Sequence, residues 1–568
     1  MTLSSSEQIN THVRIKMNPA ARVLILAFII ILQLAVFVKI GLDKKEYHVD
    51  EIYTYMLSNS YDVDRVAYDD SKWDQWFSGD EFSEYVSVQD GEQFAYDKVF
   101  NNNSLDAHPP LYYCVIHTVS SLLPGQFSKW IGLFVNLLFM VGVDILIYGI
   151  SRKMINSELL QFLPVFVYGL SPVAMEIASF IRMYAQLSFF AMAFCYCTVL
   201  MLKDGIKIRR LVFSWLIIYL GAMTHYYALV LCFWGVLLFV IYLVKKKDIK
   251  HMLIYGIGSL ISVVMVYVTY PSILTQAFGS STNNIGTEVS GSLFDVRLHL
   301  RQIKNLTFEL FDSFGYKGLG NKVCIAIACI MLVLLVLALK KNGKSALKQS
   351  KEAIWVFGVF ALTFITVAWV GGEFVYLRYV YYVIPMIYVI VGYYFDKYMA
   401  GRKLLLKSII VGSCAAYALV FCFWGAFFKK TPYLFIDRAK TDEIISEYSD
   451  YKLIMICTGH DRISSIPLGN FMKILTFSDV YLTTKESIEK TDVFGGCLDS
   501  EEQFVVYIGT DEYWLEGDNL DPDLTITELS GGRDVTYSEI AEGTMGEFYT
   551  ELLVKRKPGV KENLTKVF

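Results

Sequence analysis

Runs of about 20 apolar residues, separated by short polar connections, fill most of this chain, and about 20 such residues at 1.5 Å rise cross a bilayer core of roughly 30 Å. The first run covers 22–42. The others cover approximately 129–150, 158–175, 177–202, 211–224, 226–244, 252–271, 322–339, 353–371, 379–395 and 407–427. Basic clusters fall at every second connection: Arg152 with Lys153, Lys203 to Arg210, Lys245 to Lys250, Lys340 to Lys351, and Lys397 to Lys407. With Arg14, Lys16 and Arg22 ahead of the first run, the positive-inside rule predicts about eleven spans, with residues 1–21 and all five clusters cytoplasmic. No small-residue cleavage site follows the first run, so it reads as an anchor.

Two stretches test this path. Residues 42–108 carry 16 acidic and 5 basic side chains, unfavourable for a cytoplasmic loop at a membrane, so the loop 42–128 is expected outside. The apolar stretch 109–123 then must not cross, because one more span would invert every later cluster. Its bounding Pro109, Pro110 and Pro124 suit a short interfacial helix. Residues 211–244 would make one helix of about 51 Å, too long for a single span, so a sharp turn is expected near Thr224 to Tyr227. Residues 22–427 thus form one transmembrane domain. Residues 428–568, with 26 acidic and 15 basic side chains, are expected as an external soluble domain. A polar helical stretch, Thr441 to Tyr448, and apolar strands Leu453 to Cys457 and Phe504 to Ile508 give that domain an α/β character.

Composition agrees with a membrane protein: 54% of the 568 residues are hydrophobic, 19% are charged, and mean hydropathy is +0.42. The net charge of −4 offers no basic excess for nucleic acid. Eight of ten Cys lie in apolar segments at irregular spacing, which gives neither a zinc site nor a disulfide scaffold.

Polar side chains that are costly in hydrocarbon collect at the external ends of the expected spans. They are His48, Asp50 and Glu51; Asp106 and His108; Glu176, Arg182 and Gln186; His225; and Glu373 and Arg378. Acids, imidazoles and two arginines on one face can activate a hydroxyl and hold an anionic phosphate. The cytoplasmic connections are short and contain no G-x-x-x-x-G-K-[ST], and Gly256-Ile-Gly258 lies inside a span, where helix packing explains it. An activated group handled outside is therefore expected on a lipid carrier.

The strings Tyr47-His48-Val49-Asp50-Glu51-Ile52-Tyr53 and Asp106-Ala107-His108-Pro109-Pro110-Leu111-Tyr112-Tyr113 resemble the acidic first-loop motif and the HPPL motif of GT-C glycosyltransferases. The likeness is to bacterial relatives of protein O-mannosyltransferases and aminoarabinose transferases. Ser171-Pro172, Arg182-Met183-Tyr184, Thr224-His225-Tyr226-Tyr227, and Arg378-Tyr379 with Pro385 are similar to later motifs of that group, so the likeness covers roughly 20–400. It implies a GT-C-like fold and transfer of a sugar from a polyprenyl-phosphate donor to an acceptor hydroxyl of a glycan, lipid or protein at the outer face. It also implies Asp50 as general base with Glu51 as companion, and His108 near the donor phosphate; Asp106, Arg182, Tyr184, His225 and Arg378, on the same external side, are expected toward donor phosphate or substrate. His108 stands where the aminoarabinose branch has Lys, which sides with the mannosyltransferase-like pattern. Residues from 428 onward match no motif of the group. A divalent metal is compatible with this chemistry, although no clean ligand set is visible.

Plainer readings exist for each residue. Asp50 can cap the helix that follows, Arg182 can pair with Glu176, and Arg378 can snorkel at a membrane boundary. For the whole chain the rivals are a secondary transporter and a lipid-handling membrane protein. A transporter should carry its ionisable groups near the midplane on paired repeats, and no repeat is present.

Overall fold

In the computed structural model, the described residues are 17–61, 73–278, 295–316, 318–371, 376–428, 431, 446–457, 471–500, 503–511, 520–542 and 548–556. Arg14, Lys16, Glu373 and most of Thr441 to Tyr448 lie outside them. Nine helices among the described residues are long and apolar enough to cross a membrane. They are α1 (Pro19–Asp43), α4 (Lys129–Met154), α7 (Tyr184–Asp204), α9 (Tyr227–Lys245), α10 (Ile249–Thr269), α12 (Gly320–Asn342), α13 (Lys351–Val370), α14 (Ile384–Tyr398, entered through a 3-10 turn, Leu377–Val383) and α15 (Leu404–Phe427). The protein is a multi-pass membrane protein.

Two of the eleven expected crossings depart from a full-length helix. Residues 158–175 are not continuous: α5 (Leu163–Gly169) stops and α6 (Pro172–Ser179) restarts. Pro172 has no N–H to continue the ladder, and Ser171 Oγ accepts from Ala174 N at 3.3 Å, which caps the new helix. The next crossing begins at Tyr184 rather than 177, leaving Phe180 to Met183 as a connection outside any helix. The stretch 211–224 is α8 (Ile208–Ala222), 15 residues, and the expected turn lies between it and Tyr227. The segment 109–123 is a helix of 11 residues, α3 (Leu111–Ser121), too short to cross at 1.5 Å per residue.

An amphipathic helix, α11 (Val296–Asp312), was not expected. Its buried Leu298, Gln302, Leu306 and Leu310 recur every four residues, and it packs on α13, with His299 stacked on Trp369 at 4.3 Å. Four positions among polar neighbours are a weak signal in sequence.

The C-terminal region forms a six-stranded sheet. The strands are β1 (Trp76–Phe77), β2 (Lys452–Cys457), β3 (Asp479–Thr484), β4 (Gln503–Asp511), β5 (Val535–Glu542) and β6 (Phe548–Arg556), in the order β1-β3-β2-β4-β6-β5. β2 is parallel to both neighbours, with Leu453 opposite Val480 and Val505, while β4, β6 and β5 run antiparallel. Both expected strands are present. The edge strand β1 belongs to the first loop, with Trp76 opposite Tyr481, and Thr483 Oγ1 donates to Asp74 at 2.7 Å. A Cβ on Gly79 would sit 1.9 Å from the Ile474 carbonyl oxygen, so backbone meets backbone there. Tyr47, Ile52 and Tyr55 share one core with Phe77, Met455 and Tyr507. The first loop and the region after 428 are therefore one folded body, a coupling that a boundary drawn at 428 conceals.

Candidate active site

Asp50 and Glu51 open α2 (Val49–Asn59), but neither is its cap. His48 holds that position: its Nδ1 accepts from Asp50 N at 3.1 Å, while Glu51 Oε2 accepts from His48 N at 2.7 Å. The capping alternative for Asp50 is thereby overturned, and the two adjacent acids have separate surroundings.

Glu51 is fully buried and satisfied. Oε2 also accepts from Lys44 Nζ at 2.8 Å, and Oε1 accepts from Ile181 N at 2.7 Å. The carboxylate joins the end of α1, the start of α2 and the 180–183 connection. A Cβ on Gly132 would meet Ile181 Cγ2 at 2.1 Å, so glycine allows α4 to press this connection against Glu51. Asn136 fixes it from below, donating to the Phe180 carbonyl at 2.7 Å while accepting from Tyr112 OH at 2.9 Å.

That connection carries Arg182, which is only 5% exposed. Its Nη1 donates to the Asp50 backbone carbonyl at 3.0 Å and to Thr54 Oγ1 and Tyr113 OH at 3.3 Å each. Its Nε is buried with no hydrogen-bond partner among the described residues. Arg182 does not pair with Glu176, whose carboxylate accepts instead from Tyr381 OH.

The Asp50 carboxylate faces Arg378, with Nη1 to Oδ2 at 3.1 Å, and His48 Nδ1 at 3.6 Å. Burial alone would raise this carboxyl. Burial is the largest single influence, but Arg182, His48, Arg378 and His108 together outweigh it, and the group is held at about 2. Burial pushes the His48 imidazole down to about 4. Arg378 rises from the 3-10 turn before α14 and lies over Tyr376, Tyr379 and Phe180 at 5.0, 5.7 and 5.9 Å. It is thus an ion-pair partner packed on aromatic faces, not a snorkelling side chain.

His108 Nδ1 lies 3.0 Å from Asp106 Oδ2. Burial would raise the Asp106 carboxyl, but the bond and charge of His108 hold it below its ordinary value. The His225 ring is 5.4 Å from that of His108, 6.3 Å from Tyr184 and stacked on Tyr227 at 4.8 Å. His225 Nδ1 accepts from Tyr227 N at 3.1 Å, so in the neutral ring Nε2 carries the hydrogen. Burial holds that ring well below its usual pKa, hence neutral, and Nε2 has no partner among the described residues. A donor N–H without an acceptor suits an anionic or hydroxyl ligand. Tyr184 stacks parallel to Phe180, with centroids 6.0 Å apart. Gln186 turns away to Thr224 at 2.9 Å.

The structure brings Asp50, Arg182 and Arg378 into direct contact, and brings Asp106, His108 and His225 together beside Tyr184. It also adds Thr54 and Tyr113 to the Arg182 pocket. Tyr113 stands in the HPPL string and was quoted there without a role, while Thr54, one helical turn after Asp50, gave no separate signal. Among the described residues no group of three or more His, Cys, Asp or Glu is arranged to hold a metal ion.

No family model matches the chain, and no curated protein matches it. Among solved structures it is similar to ArnT from Cupriavidus metallidurans bound to undecaprenyl phosphate, at TM-score 0.49 and 11% identity over 94% of this chain and 98% of that one. It is also similar to the arabinofuranosyltransferase AftD from Mycobacteria, at TM-score 0.44 and 12% identity over 94% of this chain and 40% of that one. The archaeal oligosaccharyltransferase AglB from Archaeoglobus fulgidus aligns at TM-score 0.40 and 12% identity over 78% of this chain and 63% of that one.

Proposed function

We propose that the protein is a glycosyltransferase that moves a sugar from a polyprenyl-phosphate donor to an acceptor hydroxyl at the extracytoplasmic face of the membrane. The observation that carries this reading is the approach of two guanidinium groups to Asp50 from separate elements, one on its main chain and one on its carboxylate, beside an imidazole N–H with no acceptor among the described residues. Phosphate has the charge and the several acceptor oxygens that such donors match. The motif likeness to GT-C enzymes supplies the sugar.

In the reaction an acceptor oxygen attacks the anomeric carbon, the bond from that carbon to the phosphate oxygen breaks, and the hydroxyl proton passes to Asp50. The lipid phosphate leaves with the bonding pair. A single displacement inverts the anomeric centre. Arg378 serves both Asp50 and the departing phosphate. A phosphate that draws Arg378 away removes a positive neighbour from Asp50 and makes the carboxylate more basic. Arg182 offsets charge on the phosphate, the electrostatic contribution that usually dominates such transfers. Release of label from radiolabelled polyprenyl-phosphate hexose by the purified protein tests the reading directly. Absence of release from every hexose donor, with a panel of acceptor lipids and glycans present, overturns it.

Two further outcomes are expected. Arg182→Lys should lose at least about tenfold in transfer or lipid-phosphate affinity, because Nη1 alone is engaged by Asp50 O, Thr54 and Tyr113, and an ammonium in its place has no second, coplanar nitrogen to offer a phosphate. Arg378→Lys should fall similarly, and full activity in both Lys variants removes the phosphate role. Lys246→Cys, at the basic connection between α9 and α10, should resist a membrane-impermeant thiol reagent in intact cells and react after permeabilisation. Labelling from outside inverts the orientation.

A further inference from the structure

Within α6 every residue from Pro172 to Ser179 is buried except Glu176. Its Oε2 accepts from Tyr381 OH, and no hydrogen bond reaches its Oε1 from the described residues. A carboxylate serving only to tie α6 to the turn before α14 would be sealed and satisfied, as Glu51 is; this one is only half-buried and keeps an acceptor in hand. Tyr316 lies within electrostatic reach of it.

A run of ring contacts links Glu176 to the Asp50 cluster as one aromatic wall. The ring of Tyr381 meets that of Tyr184 edge-on at 6.1 Å, Tyr184 stacks on Phe180, and Arg378 lies over Phe180 and pairs with Asp50. The wall therefore starts at the reacting centre and ends at a carboxylate. Aromatic faces suit the C–H surface of a sugar ring, and a carboxyl oxygen accepts hydrogen bonds from its hydroxyls.

We propose that Glu176, oriented by Tyr381, reads the donor sugar: its open carboxylate oxygen accepts a hydrogen bond from a ring hydroxyl of the hexose whose phosphate sits at Arg182 and Arg378. This assignment rests on the glycosyl-transfer reading. It makes Glu176 a specificity-determining residue that touches sugar but not lipid phosphate, and Tyr381 a positioning residue. A site built to bond a hydroxyl discriminates strongly against a ligand that lacks it, because its own polar group is then left unpaired.

The experiment compares binding of undecaprenyl phosphate with that of undecaprenyl phosphates bearing glucose, mannose or galactose, using the purified full-length protein in detergent. Wild type should bind one hexose-bearing lipid more tightly than the bare lipid. Glu176→Gln should weaken that hexose lipid by about tenfold or more while keeping bare-lipid affinity within about twofold. Tyr381→Phe should give a smaller loss of the same kind, and retained bare-lipid binding shows that each variant is folded. If both variants keep the hexose increment, or wild type shows none, the sugar assignment falls and the phosphate site stands. If either variant loses bare and sugar-bearing lipid equally, Glu176 is a structural tie and the assignment also falls. If wild type binds none of the lipids, the glycosyl-transfer reading itself fails.

Discussion

Asp50→Asn is expected to lower glycosyl transfer by at least about a hundredfold while leaving lipid-phosphate binding intact or tighter, since a positioned base typically contributes about 10² to 10⁴-fold. The surroundings make this a clean substitution. Arg182 bonds the Asp50 main-chain carbonyl, and His48 accepts from its main-chain N–H, so neither contact depends on the carboxylate. The amide keeps the side chain's shape and loses its basicity and its charge. Arg378, deprived of its ion-pair partner, becomes more available to a phosphate. Single-turnover transfer measured beside equilibrium binding of undecaprenyl phosphate separates the two effects. Wild-type turnover in Asp50→Asn rejects this residue as the base. A parallel loss of turnover and of lipid binding points instead to collapse of the arginine pocket.

The bundle was legible because long apolar runs and alternating basic clusters are strong, local signals. The broken crossing was not, because an apolar stretch of the right length hides where its hydrogen-bond ladder stops; Ser171-Pro172 was visible, but a proline also occurs in kinked, continuous helices. A second interruption, between the end of α6 and the start of α7, leaves Phe180 to Met183 outside helix with Arg182 against α2, so the site's central cation depends on a feature that apolar length conceals. Asp50 and Glu51 are neighbours of the same chemistry, and sequence ranks them only through a motif. Their difference comes from contacts distant in the chain: Ile181 for one, Arg378 for the other. The union of the first loop with the C-terminal sheet was equally hidden, because the two-residue strand Trp76–Phe77 is too short to show a period. It places the sheet on the core against which α2 packs.

Glu51→Gln is expected to destabilise the protein by about 3–5 kcal/mol, the usual consequence of breaking a buried ion pair. Burial pushes the Lys44 ammonium down and the Glu51 carboxyl up, and the contact between them opposes both. Three donors converge on Glu51: Lys44 Nζ and His48 N on one oxygen, and Ile181 N on the other. A carboxylate accepts from both sides, whereas an amide must turn its NH₂ toward one of them, setting donor against donor in a dry site. Lys44, about 1% exposed, then loses the charge it is hydrogen-bonded to and keeps only the weaker influence of Glu46. Adding Lys44→Met removes that charge and one of the donors, so the double variant should regain about 1–3 kcal/mol relative to Glu51→Gln alone. Thermal unfolding in detergent without ligand reads both steps and is independent of turnover. An unchanged midpoint for Glu51→Gln, accompanied by loss of transfer, would make Glu51 the reacting carboxylate and exchange the roles of the two acids; a large drop in the midpoint that Lys44→Met partly reverses establishes it as the strut that holds α2, and with it Asp50, against the Arg182 connection.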